Sequence, residues 1–290
     1  MKKVGPSPLE VYKLSEIPPP SFEAAISRNG DTFQRQTPAE YYRCAEKFHE
    51  AISRGVDPWS VSLTGKDGFP VEVVHEAACI MRLIRGPRSA DAFATALWAS
   101  ASEAGYRPST LSLARHLVRS GAYGRVPQLR RVEARFKQLV STARDADALT
   151  VEGELQYEQG NYEAAVRALQ RALQVAGDFE WKPYCELCMG KALAKLDRHD
   201  EAKAILEALS EAGLVEADVE LGNLLRVSDR DAAERHLFAA ASKGRADMFS
   251  VLSEIALDKA AESGEDKASR EEALRWAKEW SRLGDPRAEY

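Results

Sequence analysis

The chain of 290 residues is poor in the residues that make covalent staples and metal centres, with four cysteines, four methionines and five histidines. Cys44, Cys79, Cys185 and Cys188 fall at spacings that form no repeated framework, which excludes a disulfide scaffold. The expectation is an intracellular, soluble protein with reduced thiols. No apolar run approaches the roughly 18–20 residues of a membrane-spanning helix, so no membrane span is expected. The first twenty residues carry Glu10, Glu16 and prolines at 8, 18, 19 and 20, which suits neither a signal peptide nor an acid-free transit sequence. The cytoplasm is the expected compartment, or the mitochondrial matrix if a leader was cleaved before Met1. Gly-rich phosphate loops and G-x-S-x-G elbows are missing as well. No catalytic residue, cofactor or metal is therefore expected.

What is present is a hydrophobic fraction of 44%, enough for a sizeable core, and a succession of helix signals. Thr37-Pro38-Ala39-Glu40 combines an N-cap, a proline at the first helical position and the Glu of a capping box. Tyr41, Ala45, Phe48 and Ile52 then follow 3.6-residue spacing, and Gly55 supplies a stop. Ser89 is expected to cap a second segment running to Gly105, and Ser109 or Thr110 to open a third ending at Gly121. Pro127 starts a fourth, with Leu129, Val132, Phe136, Leu139 and Val140 as its apolar stripe. Val71 to Val74 is β-prone but runs into a helical pattern ending near Ile84, so it is taken as helix. No stretch alternates with period two. Residues 1–36 are expected to be an extended proline-rich arm with a short helix, because three consecutive prolines favour polyproline II.

From about Asp147 a repeat emerges. Gly153 is followed by Gly190 and Gly222, Ala165 by Ala202, and Leu169 by Leu206, with an offset of 37 residues between the first two copies. Such a period marks stacked helical hairpins, in which a small residue lets one helix approach its partner closely. Residues 37–145 then form a basic helical region and residues 146–290 a repeat region. The expected fold is all-α, a right-handed superhelix (solenoid) of stacked antiparallel helical hairpins from about Thr37 to Gly284.

Gly153, Gly160, Tyr162, Ala165, Leu169 and Ala172, within GELQYEQGNYEAAVRALQRAL, resemble the tetratricopeptide repeat family. MGKALAKLDRHDEAKAILEAL keeps Gly190, Leu193, Ala202 and Leu206 of the same pattern. ADVELGNLL followed by AERHLFAAASKGRAD resembles the related Sel1-like repeat, as does EEALRWAKEWSRLGDPRAEY. A Gly-x-x-Pro-Ser-Thr fragment at 105–110 is similar to pentatricopeptide repeats, related hairpins that read single-stranded RNA. The tetratricopeptide resemblance implies that the first helix of each pair lines a binding groove. Its register places Asp147, Thr150, Glu154 and Tyr157 there, then Tyr184, Leu187, Lys191 and Ala194, then Glu216, Val219, Asn223 and Arg226. Glu154, Leu187 and Val219 are ill suited to clamp a peptide carboxylate, so the implied partner is an apolar or basic protein segment, docked as a helix or extended peptide. The implied function is that of a non-enzymatic scaffold, adaptor or assembly factor.

Charge is unevenly distributed. Residues 1–145 hold 21 Lys and Arg against 15 Asp and Glu, while residues 146–290 hold 19 against 30. Within 107–144 there are nine basic residues and one acid, Glu133. Arg115, Arg119, Arg125, Arg130, Arg131 and Arg135 make this segment a candidate for phosphate contacts with RNA, the alternative being pairing with the protein's own acids.

Two thiol patterns need placing. His75 and Cys79 share a helix face at i and i+4, but catalytic zinc needs three protein ligands and no third stands near, so packing is the plainer account. Cys185-x-x-Cys188 follows Pro183, which suits a first helical turn and would place Cys185 near the positive end of the dipole, lowering its pKa. The βαβ setting of redox motifs is absent, and packing is again favoured.

Overall fold

The computed structural model describes residues 7–66, 68–264, 266–285 and 287. Among them are fifteen α-helices and no strand. Two compact units divide the chain, Met1–Val151 and Glu152–Tyr290. In each, neighbouring helices pack pairwise in sequence order, the arrangement of an all-α helical-repeat fold.

The first unit contains α1 (Pro8–Val11), α2 (Pro19–Arg28), α3 (Pro38–Ser53), α4 (Val71–Leu83), α5 (Arg88–Glu103), α6 (Arg107–Arg119), α7 (Arg130–Thr142) and the first turns of α8 (Ala146–Glu158). The α3 capping box forms as expected: the Glu40 N–H donates to Thr37 Oγ1 at 3.3 Å and the Thr37 N–H to Glu40 Oε2 at 2.9 Å. The β-prone Val71–Val74 begins α4, where Val73 and Val74 are buried.

Three expectations are corrected. The proline-rich segment, where described, is not an extended arm. Pro18 is the N-cap and Pro19 the first residue of α2, because a proline's fixed φ and missing N–H are tolerated in a first helical turn. Tyr12, Ile17, Phe22 and Ala25 are buried in the core, and Tyr12 packs with Phe48 and Phe93 at ring distances of 5.2 and 5.4 Å. Residues 1–6 of that arm lie outside the described residues. Ser89 is not a cap either: α5 begins at Arg88, and the buried Ser89 hydroxyl donates to Glu16 Oε2 at 2.7 Å, tying the amino-terminal segment to α5. Likewise α6 starts before Ser109 and Thr110, at Arg107-Pro108, and both hydroxyl residues are buried within it. Pro127 opens a single 3-10 turn, and α7 follows with Val132 and Phe136 buried.

The second unit continues α8 and adds α9 (Tyr162–Val175), α10 (Lys182–Lys195), α11 (His199–Glu211), α12 (Val215–Leu225), α13 (Arg230–Ser242), α14 (Met248–Glu262) and α15 (Lys267–Gly284). The glycine repeat has the expected role. A Cβ on Gly153 would lie 2.4 Å from Leu169 Cγ, one on Gly190 3.0 Å from Leu206 Cγ, and one on Gly222 2.4 Å from Leu237 Cγ. Each first helix thus seats the leucine of its second helix directly against its own backbone. All three leucines are 1% exposed or less, so they have no solvent to retreat into.

Overpacking of a filled contact typically costs about 1–3 kcal/mol, offset in part by the better helix propensity of alanine. Gly153→Ala and Gly222→Ala are expected to lower stability by about 1–2 kcal/mol, and Gly190→Ala by less. Gly177→Ala, where a Cβ meets nothing within 4 Å, should be neutral. Urea unfolding monitored by circular dichroism gives the order; equal effects at Gly177 and Gly222 would contradict this packing.

Candidate functional site

In the second unit the first helices of successive hairpins are linked into a row by polar contacts. Lys191 Nζ of α10 lies 5.2 Å from the centre of the Tyr157 ring on α8 and 3.3 Å from Glu220 Oε1 on α12. Burial works against the Lys191 charge, but Glu220, Tyr157 and Cys188 together outweigh it and hold the amine above its ordinary pKa. Arg226 at the end of α12 reaches Glu254 at 3.2 Å and Asp258 at 3.7 Å on α14. The expected row of first helices is therefore continuous from Tyr157 to Asp258.

The residues assigned to this face divide into two groups. Glu216, Asn223 and Tyr184 are exposed, and Glu154 and Tyr157 are half-buried. These five are at least partly open to solvent. Thr150 is not: it is fully buried, and its hydroxyl donates to the Ala146 carbonyl at 2.9 Å. Leu187 packs against the core of Leu206, Leu209, Ala217 and Leu221, and Val219 is buried, so both serve helix packing. Asp147 is occupied by Arg107 at 2.7 Å. Lys191 is half-buried and committed to its two neighbours. A repeat register fixes which helix a residue lies on, but not whether its side chain is spent on a neighbour.

The basic segment also divides. Arg107 forms a fork on Asp145, at 2.5 and 2.6 Å, and a further bond to Asp147. Arg135 pairs with both oxygens of Glu103 at 2.8 and 2.6 Å, while Arg131 stands 3.9 Å from the same carboxylate. Glu133, the one acid of the segment, is buried and accepts the Gly124 N–H at 2.7 Å. Arg115 is half-buried on α6. Arg119, Arg125, Arg130, Lys137 and Arg144 are exposed and make no ion pair among the described residues. The first three gather around the short connection from the end of α6 to the start of α7.

The cysteines are free thiols, with Cys44, Cys185 and Cys188 buried and Cys79 half-buried. Cys185 is fully buried with its Sγ 3.5 Å from the Leu169 carbonyl, in the contact where Gly153 receives that leucine's side chain. Burial, reinforced by Glu154, pushes the Cys188 thiol well above its ordinary pKa. Cys79 Sγ lies 3.5 Å from His75 Nε2, and the other ring nitrogen meets Ser109 Oγ at 2.9 Å. No group of three or more potential metal ligands is found among the described residues.

Two features had gone unrecognised. Asp218, 2% exposed, gathers Ser210 at 2.6 Å, His236 at 3.0 Å and Lys243 at 3.1 Å, and joins α11, α12 and α13. Burial would raise its pKa, but these three partners hold it below the usual carboxylate range. Trp276 and Trp280 line a cleft between α13, α14 and α15. Their i, i+4 spacing with Glu272 one turn earlier was a readable signal. Compared with known proteins, the chain matches no family model, and no curated protein matches it.

Burial drives the His75 pKa down to about 4, while an unfolded chain protonates near the ordinary value of 6.5. The stability this contributes is complete above about pH 6.5 and is lost as the pH falls towards about 4. Wild type is expected to lose about 2–3 kcal/mol more than His75→Gln across that window in urea unfolding. Superimposable pH profiles would contradict it.

Proposed function

We propose that this is a non-enzymatic helical-repeat interaction protein, a scaffold, adaptor or assembly factor of the tetratricopeptide and Sel1-like type. It binds a partner-protein segment of apolar or basic character along the face of α8, α10 and α12. The observation that carries the proposal is the row of first helices itself, joined through Tyr157, Lys191 and Glu220, with Glu216, Asn223 and Tyr184 exposed and Glu154 half-buried along it. Its backbone is fixed by helix packing, so a ligand meets a surface organised in advance and loses less affinity to ordering. The carboxylates of Glu154 and Glu216 favour basic character, and the Tyr157 and Tyr184 rings supply apolar area with a polar tip.

A second function is favoured by a different observation, the five exposed cations between 107 and 144 that make no ion pair among the described residues. Arg119, Arg125 and Arg130 suit contacts to RNA phosphates, whose strength falls steeply with added salt. In that case the protein is RNA-associated, linked to ribosomes or organellar transcripts.

Affinity purification with and without RNase separates the two. A protein partner retained after RNase and lost from Glu154→Lys/Glu216→Lys supports the first proposal. The same partner retained by that variant sinks it, and partners lost only to RNase favour the second.

A further inference from the structure

A cleft of about 570 Å³ opens between α13, α14 and α15. One wall carries Trp276 and Trp280, backed by Phe249 and Phe238 outside the cleft lining. The Trp276 ring is stacked on Trp280 at 5.1 Å and 20°, Trp280 on Phe249 at 5.7 Å and 17°, and Phe238 leans on Trp280 at 5.5 Å. Trp276 is 45% exposed and Phe238 48%. Single exposed apolar side chains are ordinary, but here an exposed indole ends a three-ring stack and faces a cleft.

The remaining wall is acidic. Glu234, Glu262 and Glu272 line it, with Lys259 as its one cation among the described residues. That lysine is already held by Asp231 at 2.9 Å and Glu234 at 3.0 Å, and Glu262 is held by Arg230 at 2.5 Å. Glu272 is the loosely held carboxylate, its contact with Arg275 stretched to 4.0 Å between two mostly exposed side chains. It stands one helical turn before Trp276 on α15, beside the indole face.

A stacked aromatic face carries negative potential and attracts a cation, more so next to a carboxylate. Among biological cations, a guanidinium fits both features at once: its plane lies flat on an indole, and its N–H fork matches a carboxylate. We propose that this cleft is a docking site for an arginine side chain of a basic partner-protein segment, the guanidinium stacked on Trp276 and paired with Glu272. Charge complementarity selects this occupant: Glu234 and Glu262 are already matched by Lys259 and Arg230, and Glu272 is the lining carboxylate left to meet a cation beside Trp276. The volume suits a side chain with its flanking residues. The site is built mainly from α15 and α14, with Glu234 of α13, and takes no residue from α8, α10 or α12, so it stands or falls separately from that face.

The test uses the full chain and a nona-arginine peptide, followed through the indole ¹⁵N–H signals of the five tryptophans. The expected result is that the Trp276 and Trp280 signals shift most. Trp276→Ala should weaken binding about 3- to 30-fold, in line with a partly desolvated cation–π contact. Glu272→Gln, which leaves the aromatic stack intact, should weaken it as well, and nona-lysine should bind less tightly than nona-arginine. Glu154→Lys/Glu216→Lys should leave the Trp276 and Trp280 shifts in place, so failure of the first-helix face does not imitate failure here. Unmoved Trp276 and Trp280 signals, unchanged affinity in Trp276→Ala or Glu272→Gln, or equal binding of nona-lysine would overturn the proposal.

Discussion

The second unit depends on one steric constraint, the contact between a glycine of each first helix and a leucine of its second helix. Gly153 with Leu169, Gly190 with Leu206 and Gly222 with Leu237 repeat the same junction three times. No side chain separates the backbone from the leucine, so the two helices of a pair come close and at a fixed axial position. Each second helix then packs on the first helix that follows it, α9 on α10, α11 on α12 and α13 on α14, which sets hairpin against hairpin. A row assembled in this way needs no long-range contacts, since each hairpin buries its apolar face only on its neighbours.

Polar contacts then stabilise what the packing has aligned. Tyr157, Lys191 and Glu220 link three first helices, and Arg226 carries the connection to α14. Asp218 does the same across α11, α12 and α13 from a buried position, where losing one partner would leave a charge uncompensated. Such contacts use up side chains that a repeat register alone would offer to a ligand. The first unit is organised differently, around the aromatic core of Tyr12, Phe48 and Phe93, with its amino-terminal segment as part of the packing.

Much of this was legible in the sequence, for physical reasons that can be named. The Thr37/Glu40 capping box and the glycine spacing are local signals whose partners lie within a turn or a hairpin. The prolines at 18–20 misled because extended chain and a first helical turn share nearly the same φ; burial of Phe22 and Ala25 selected the helix. Ser89 looked like a cap, but Glu16, 73 residues away in sequence, claimed its hydroxyl. Thr150 and Leu187 fell on the right helices yet turned inward. The aromatic cleft was hidden for a further reason: Glu234, Glu262 and Glu272 belong to three helices, and only their packing brings them together.

The central claim is that partners meet the first-helix face. Site-specific photo-crosslinking tests it most directly, with a benzophenone side chain at Asn223 on α12, at Tyr184 on α10 and, as a control, at exposed Glu207 on the second helix α11. Crosslinks to one protein partner from Asn223 and Tyr184, and none from Glu207, are predicted. Crosslinks to that partner from Glu207 alone would contradict the account.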